Sequence, residues 1–137
     1  MLKRFRYKLF GFIGIWLWAG ILYAQVYTEK NTHIIVFSAK PTFTIKLKSN
    51  PTTGYSWVLQ KSHARFITLI HHKFEPPQNK KLIGAPGYEV WKFRVLPGAF
   101  AARKQMRLRF KYIRPWEHPP QGEIRKIDFL ITISSDR

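Results

Sequence analysis

Gln105-Met106-Arg107-Leu108-Arg109-Phe110-Lys111-Tyr112 alternates apolar and polar side chains without a break. Successive side chains of a strand leave opposite faces of the sheet. Met106, Leu108, Phe110 and Tyr112 therefore point one way, and Arg107, Arg109 and Lys111 the other. The same period of two recurs on both sides of this stretch. Residues 89–95, Glu-Val-Trp-Lys-Phe-Arg-Val, alternate, and so do residues 43–48, Phe-Thr-Ile-Lys-Leu-Lys. Residues 124–133 close the pattern with Ile127, Phe129, Ile131 and Ile133 on one face. Shorter segments complete the set: a compact apolar run at 33–38, a short one at 55–60 containing Trp57, and a mixed one at 66–74.

Proline and glycine punctuate these segments at Asn50-Pro51, Glu75-Pro76-Pro77, Gly84-Ala85-Pro86-Gly87, Pro97-Gly98, Arg114-Pro115 and Pro119-Pro120. Proline cannot donate to a ladder, and here it sits between the strands rather than inside them. Nothing after residue 24 reads as a long helix, and there is no internal repeat. About seven short strands with regular turn signals predict an all-β fold, an antiparallel sandwich. If the strands carrying Lys92 and Arg94 and those carrying Arg107, Arg109 and Lys111 are neighbours, one sheet face bears a basic stripe.

The first 24 residues do not share this pattern. Lys3, Arg4, Arg6 and Lys8 precede an uncharged run at 9–24, and the composition turns polar at Gln25. That order is the layout of a secretory signal peptide with Ala24 at the cleavage site, or of an uncleaved signal anchor. The expectation is an exported protein, periplasmic or secreted. Removing residues 1–24 from the 137 leaves 113, about the size of one β-sandwich domain. There is no cysteine, so an exported domain must hold itself together by its core, and an aromatic content of 16% supplies the rings to do it. Lys and Arg number 24 against 7 Asp and Glu, a balance that favours acidic partners and otherwise describes a solvated basic face.

Three of the breaks are unusual as loops. In Asn50-Pro51-Thr52-Thr53-Gly54-Tyr55-Ser56-Trp57, Pro51 fixes its own backbone and holds Asn50 extended, while Gly54 permits a left-handed turn. Two threonines are held up between them. Trp57 reads as core, and Tyr55 as core or rim. The second loop contains Leu82-Ile83-Gly84-Ala85-Pro86-Gly87-Tyr88, and the third reads Tyr112-Ile113-Arg114-Pro115-Trp116-Glu117. Trp116 lies outside the alternating strands in a proline-stiffened loop, which favours a contact residue over filler. Asn-Pro-Thr-Thr-Gly-Tyr, a Gly-Ala-x-Gly loop and Arg-Pro-Trp, in this order, resemble the chagasin family of cysteine-peptidase inhibitors. The similarity runs from about Phe43 to the end.

The resemblance implies an immunoglobulin-like sandwich with three loops gathered at one end, which together occupy the cleft of a papain-like peptidase reversibly. Asn50, Pro51, Thr52, Thr53, Gly54 and Tyr55 would form the central wedge. Gly84, Ala85 and Gly87 would lie along one wall of the cleft, and Arg114, Pro115 and Trp116 would clamp the other. Two positions depart from the pattern. Pro86 stands where the family tends to have glycine and has no N–H to offer, and Tyr88 is bulkier than expected. The partner would be a papain-like cysteine peptidase, the organism's own or a host's, met by a monomer.

An enzyme finds little support in these residues. There is no thiol, no Gly-x-Ser-x-Gly elbow, and the seven acids are scattered. His71 and His72 are adjacent on a strand and face opposite sides, which is poor chelating geometry. No metal, no cofactor and no nucleic acid is expected; a membrane enters only if the leader stays on. The rival reading is an exported basic β-sandwich that binds anionic polymers or another protein partner through its charged face. In that reading the aromatics and the basic residues would have to share a face, and strand alternation separates them.

Overall fold

The alternating stretch around Phe110 folds as one strand, and its parity is the expected one: Leu108 and Phe110 are buried, Arg107 and Arg109 exposed. The computed structural model describes residues 25–60, 65–79, 84–122 and 124–135; the proposed leader, residues 1–24, lies outside them. Among the described residues there are eight strands, β1 (Val26–Tyr27), β2 (His33–Phe37), β3 (Thr42–Ser49), β4 (Ser56–Leu59), β5 (Ile67–Glu75), β6 (Gly87–Val95), β7 (Lys104–Ile113) and β8 (Arg125–Ser134). They form two four-stranded sheets, β1-β3-β6-β5 and β2-β8-β7-β4.

The sheets face each other through the apolar sides of β2, β3, β4, β6, β7 and β8. Phe43, Ile45 and Leu47 of β3 and Trp91, Phe93 and Val95 of β6 meet Leu108 and Phe110 of β7 and Phe129, Ile131 and Ile133 of β8, with Ile34 and Val36 of β2 at one flank. Phe110 is the hub. Its ring stands edge-on to Trp91 at 5.3 Å, to Phe93 at 6.4 Å and to Phe129 at 5.9 Å between centroids, the T-shaped geometry that aromatic quadrupoles favour. Each such ring taken out of water contributes about 1.5–3 kcal/mol, and this aromatic layer holds the sandwich together without disulfides.

Most pairings are antiparallel, but β1 runs parallel to β3 and β2 parallel to β8. β1 gave no sequence signal because it is two residues long, held by its register with Thr44 and Ile45. The structure also divides the expected basic stripe. Lys92 and Arg94 lie on β6 of one sheet, whereas Arg107, Arg109 and Lys111 lie on β7 of the other. The reason is the connection: Pro97–Ala101 makes a short 3-10 turn with Ala99 buried against the core, and carries the chain across the sandwich. The two basic groups therefore lie on different sheets, and nearby basic residues of both sheets are partly neutralised. Arg109 grips Asp128 with both Nε at 2.7 Å and Nη2 at 2.8 Å, while Glu75 meets Lys46 at 2.7 Å and Lys73 at 2.9 Å.

Three connections leave the same end. The β3–β4 connection passes from the first sheet to the second. The β5–β6 connection stays within the first sheet, and the β7–β8 connection within the second.

Candidate functional site

The β3–β4 connection is stiff because nearly every polar group in it is used internally. Asn50 is extended at φ −129°, ψ 90° and caps a single 3-10 turn over Pro51–Thr53, which Gly54 ends in the left-handed region at φ 80°. Asn50 Oδ1 accepts from the Thr52 hydroxyl at 2.6 Å and from the Thr52 N–H at 3.3 Å. The Thr53 hydroxyl donates to the Asn50 carbonyl at 2.7 Å, and the Gly54 N–H donates to the Pro51 carbonyl at 3.0 Å. Both threonine hydroxyl protons are thus committed, and Pro51, Thr52 and Thr53 stay exposed. What the two hydroxyls offer outward is lone pairs, so they suit a partner that donates hydrogen bonds.

Below the turn, Tyr55 stacks on Tyr112 at 5.4 Å between centroids, and Tyr112 meets the Trp57 ring at 5.0 Å. Tyr55 is half-buried and so belongs to the rim; Trp57 is 3% exposed and belongs to the core. Tyr112 also takes the Asn50 N–H on its hydroxyl at 2.9 Å. Sequence reasoning passed over Tyr112 as a site residue, although its position as the last inward ring of the cleanest alternating strand was a usable signal.

The second loop joins the first through Asn50, whose Nδ2 donates to the Gly84 carbonyl at 2.9 Å. Gly84 is exposed at φ 75° with open space where a Cβ would stand. Ala85 is half-buried and Pro86 exposed; Leu82 and Ile83 lie outside the described residues. Gly87 and Tyr88 are no longer loop. Gly87 opens β6 opposite Ser49 and is buried, because a Cβ there would stand 2.3 Å from the Glu75 carbonyl oxygen and 2.5 Å from the Phe74 ring. Its glycine serves the close approach of β5. Tyr88 projects outward from the sheet beside the loop.

The third loop joins the first through two side chains. The Arg114 guanidinium lies 4.8 Å over the Tyr55 ring, a cation–π contact, and its Nε points at the Thr53 carbonyl from 3.4 Å. The Trp116 ring covers Gly54 so closely that a Cβ at position 54 would stand 2.7 Å from it. Yet Trp116 is 66% exposed, and Pro115 beside it is exposed too. Glu117, which sequence reasoning also passed over, holds this loop in shape: Oε1 accepts from Arg114 Nη1 at 3.2 Å and Oε2 from the Gln121 N–H at 3.1 Å. Its spacing of three from Arg114 was the available signal.

The Gln121 N–H first, and Arg114 second, hold the Glu117 carboxyl below the usual glutamate range. A lowered value means that the ordering is present in full above about pH 4.3, the unperturbed glutamate value, and is lost as pH falls through the lower folded value. The Gln121 amide resonance is expected to titrate with a midpoint below about 4.3 in the wild type and to stay flat in Glu117→Gln. A midpoint above that value would contradict the arrangement.

Asn50 thus ties the first loop to the second, and Arg114 and Trp116 tie it to the third, so eleven of the twelve sequence-predicted residues lie in these three joined loops and Gly87 alone is buried in a strand. Among the described residues no three His, Asp or Glu side chains gather as metal ligands do. The family model for the chagasin family peptidase inhibitors, I42, matches residues 36–133. The chain belongs to the chagasin family of peptidase inhibitors. It is an inhibitor and not an enzyme. Chagasin of Trypanosoma cruzi is 33% identical over 90 residues, which are 63% of this chain and 76% of that protein. The cysteine protease inhibitor EhICP2 from Entamoeba histolytica superposes with a TM-score of 0.61 at 19% identity, over 80% of this chain and 94% of that one. Amebosin superposes with a TM-score of 0.56 at 24% identity, over 81% and 96%. At these identities the two structures share the immunoglobulin-like sandwich with this chagasin-family chain.

Proposed function

We propose that this chain inhibits papain-like cysteine peptidases by lodging the turn at residues 50–55 in the cleft, with residues 84–86 and 114–116 against its two walls. The observation that carries the reading is the bonding of the three loops around Asn50 and Arg114, which presents an exposed Trp116 beside a turn already in its final shape. A peptidase cleaves a chain presented in extended form to its nucleophile. The 3-10 turn at Pro51–Thr53 offers no such geometry, because its carbonyls at Asn50 and Pro51 are engaged within the turn. Nor does the turn have to be ordered on docking, a saving that preorganisation converts into affinity. A nanomolar complex requires about 12 kcal/mol, and an interface of ordinary size, about 800 Å² per partner, supplies that when its aromatic and arginine anchors fit.

The test is a titration of the protein against active papain, with a serine peptidase as control. Stoichiometric, reversible inhibition of papain alone supports the reading, and no inhibition at micromolar concentration across several papain-like enzymes sinks it. The double change Thr52→Ala, Thr53→Ala removes hydroxyls that accept outward and brace the turn within. Two hydrogen bonds are worth about 1–3 kcal/mol together, so the inhibition constant is expected to rise about 5- to 150-fold. An unchanged constant in the double variant would place the wedge elsewhere. The exported location rests on the leader, and N-terminal sequencing of the mature protein checks whether it begins at Gln25.

A further inference from the structure

Glu89 is the one charged residue that is buried among the described residues, 4% exposed. It shares the inward side of β6 with Trp91, Phe93 and Val95. Its Oε1 accepts from the Ser49 hydroxyl at 2.7 Å and from the Trp57 N–H at 2.9 Å. Its Oε2 lies 3.1 Å from Nε2 of His72, which stacks on Trp91 at 3.6 Å between centroids. Ser49 ends β3, and Trp57 is the second residue of β4. Everything between them is the central turn and its stems.

β3 and β4 belong to different sheets and share no ladder. An ordinary hairpin closes its loop with cross-strand backbone bonds at the mouth; this one has none to use. A single carboxylate oxygen takes their place, holding the last residue of one stem and the second of the other. The Trp57 Nε1–H, donated to the Lys48 carbonyl at 2.9 Å, is the other tie across the mouth. A buried carboxylate costs desolvation, and here that cost is offset by the Ser49 hydroxyl and the Trp57 N–H that it accepts from.

From this we infer that Glu89 is a positioning residue for inhibition: it fixes the separation of the two stems and thereby the attitude of residues 50–55 in the cleft. The inference rests on the proposed docking of that turn. Glu89 touches no partner; it acts through Ser49 and Trp57.

The experiment sets the papain inhibition constant beside the denaturant midpoint and the amide hydrogen exchange of Thr53 and Gly54, for the wild type, Glu89→Leu and Glu89→Gln. Leucine fills the space and removes the acceptor. Glutamine keeps an acceptor oxygen for Ser49 and Trp57. The expected result is that Glu89→Leu lowers the midpoint, because the Ser49 hydroxyl and the Trp57 N–H lose their acceptor, yet in its folded fraction still loses about tenfold or more in inhibition and exchanges both amides faster. Glu89→Gln should recover most of the inhibition and all of the protection. A folded Glu89→Leu that inhibits like the wild type overturns the inference, and so does a loss that merely tracks its unfolded fraction. Should Glu89→Leu fail to fold, Ser49→Ala removes one bond only: a severalfold loss with an unchanged midpoint supports the clamp, and wild-type inhibition refutes it. If the wild type itself does not inhibit, the docking reading fails, while the exchange rates still report whether Glu89 holds the turn.

Discussion

Trp116→Ala is expected to raise the inhibition constant about 30- to 1000-fold while leaving the melting temperature where it is. Truncating a tryptophan that anchors an interface costs about 2–4 kcal/mol of binding, and few residues here match the description of an anchor so well. The ring is 66% exposed, so its removal leaves no cavity in the core. It rests on Gly54 at the end of the central turn and shares a loop with Arg114, which itself lies over the Tyr55 ring. Trp57 supplies the contrast. At 3% exposure it is part of the core, and Trp57→Ala should unfold the domain before its inhibition can be measured. The pair is read by inhibition titration and thermal melting on the same samples. A Trp116→Ala protein that inhibits within threefold of the wild type would remove the third loop from the interface.

The second large effect is on stability. Gly84 and Gly87 belong to one Gly-Ala-Pro-Gly motif, and the structure gives them opposite duties. Gly84→Ala meets nothing in space and has only its left-handed backbone to overcome, about 1–2 kcal/mol. Gly87→Ala places a methyl 2.3 Å from the Glu75 carbonyl oxygen, and that oxygen belongs to a neighbouring strand, not to a side chain that can swing aside. Overpacking of this kind costs about 3 kcal/mol or more, so the melting temperature should fall by roughly 12–24 °C. The β5–β6 pairing is the part that gives way. A Gly87→Ala protein that melts with Gly84→Ala would show that β5 can back off at little cost.

How far the sequence could be read depended on what each residue answers to. Period two answers to local geometry, so the parity of β3, β6, β7 and β8 was legible, down to Phe110 and Phe129 facing inward. The turn at residues 50–55 was legible for the same reason, because Pro51 and Gly54 constrain the backbone in place. Gly87 was a different matter: nothing local separates a glycine kept for its turn from one kept for a neighbouring strand. The basic stripe depended on β6 and β7 being neighbours, which no local pattern decides, and Pro97–Ala101 carries β7 to the opposite sheet. Glu89 could have been noticed, since a carboxylate with the parity of Trp91, Phe93 and Val95 is out of place. Its partner Trp57 could not have been named, because that bond joins β6 to β4, which lie in different sheets and never pair.

The placement of the three loops also decides what a change of target must alter. The second loop hangs from one sheet, the third from the other, and the central turn bridges the two. The span between the outer loops is therefore the thickness of the sandwich, about 10 Å from sheet to sheet. On the proposed docking, that makes the buried aromatic layer a caliper: the volumes of Phe93, Phe110 and Phe129 bear on the width of cleft the outer loops would straddle. Retuning the inhibitor to a wider or narrower enzyme is then a problem of internal girth, to be solved with side chains that no enzyme ever touches.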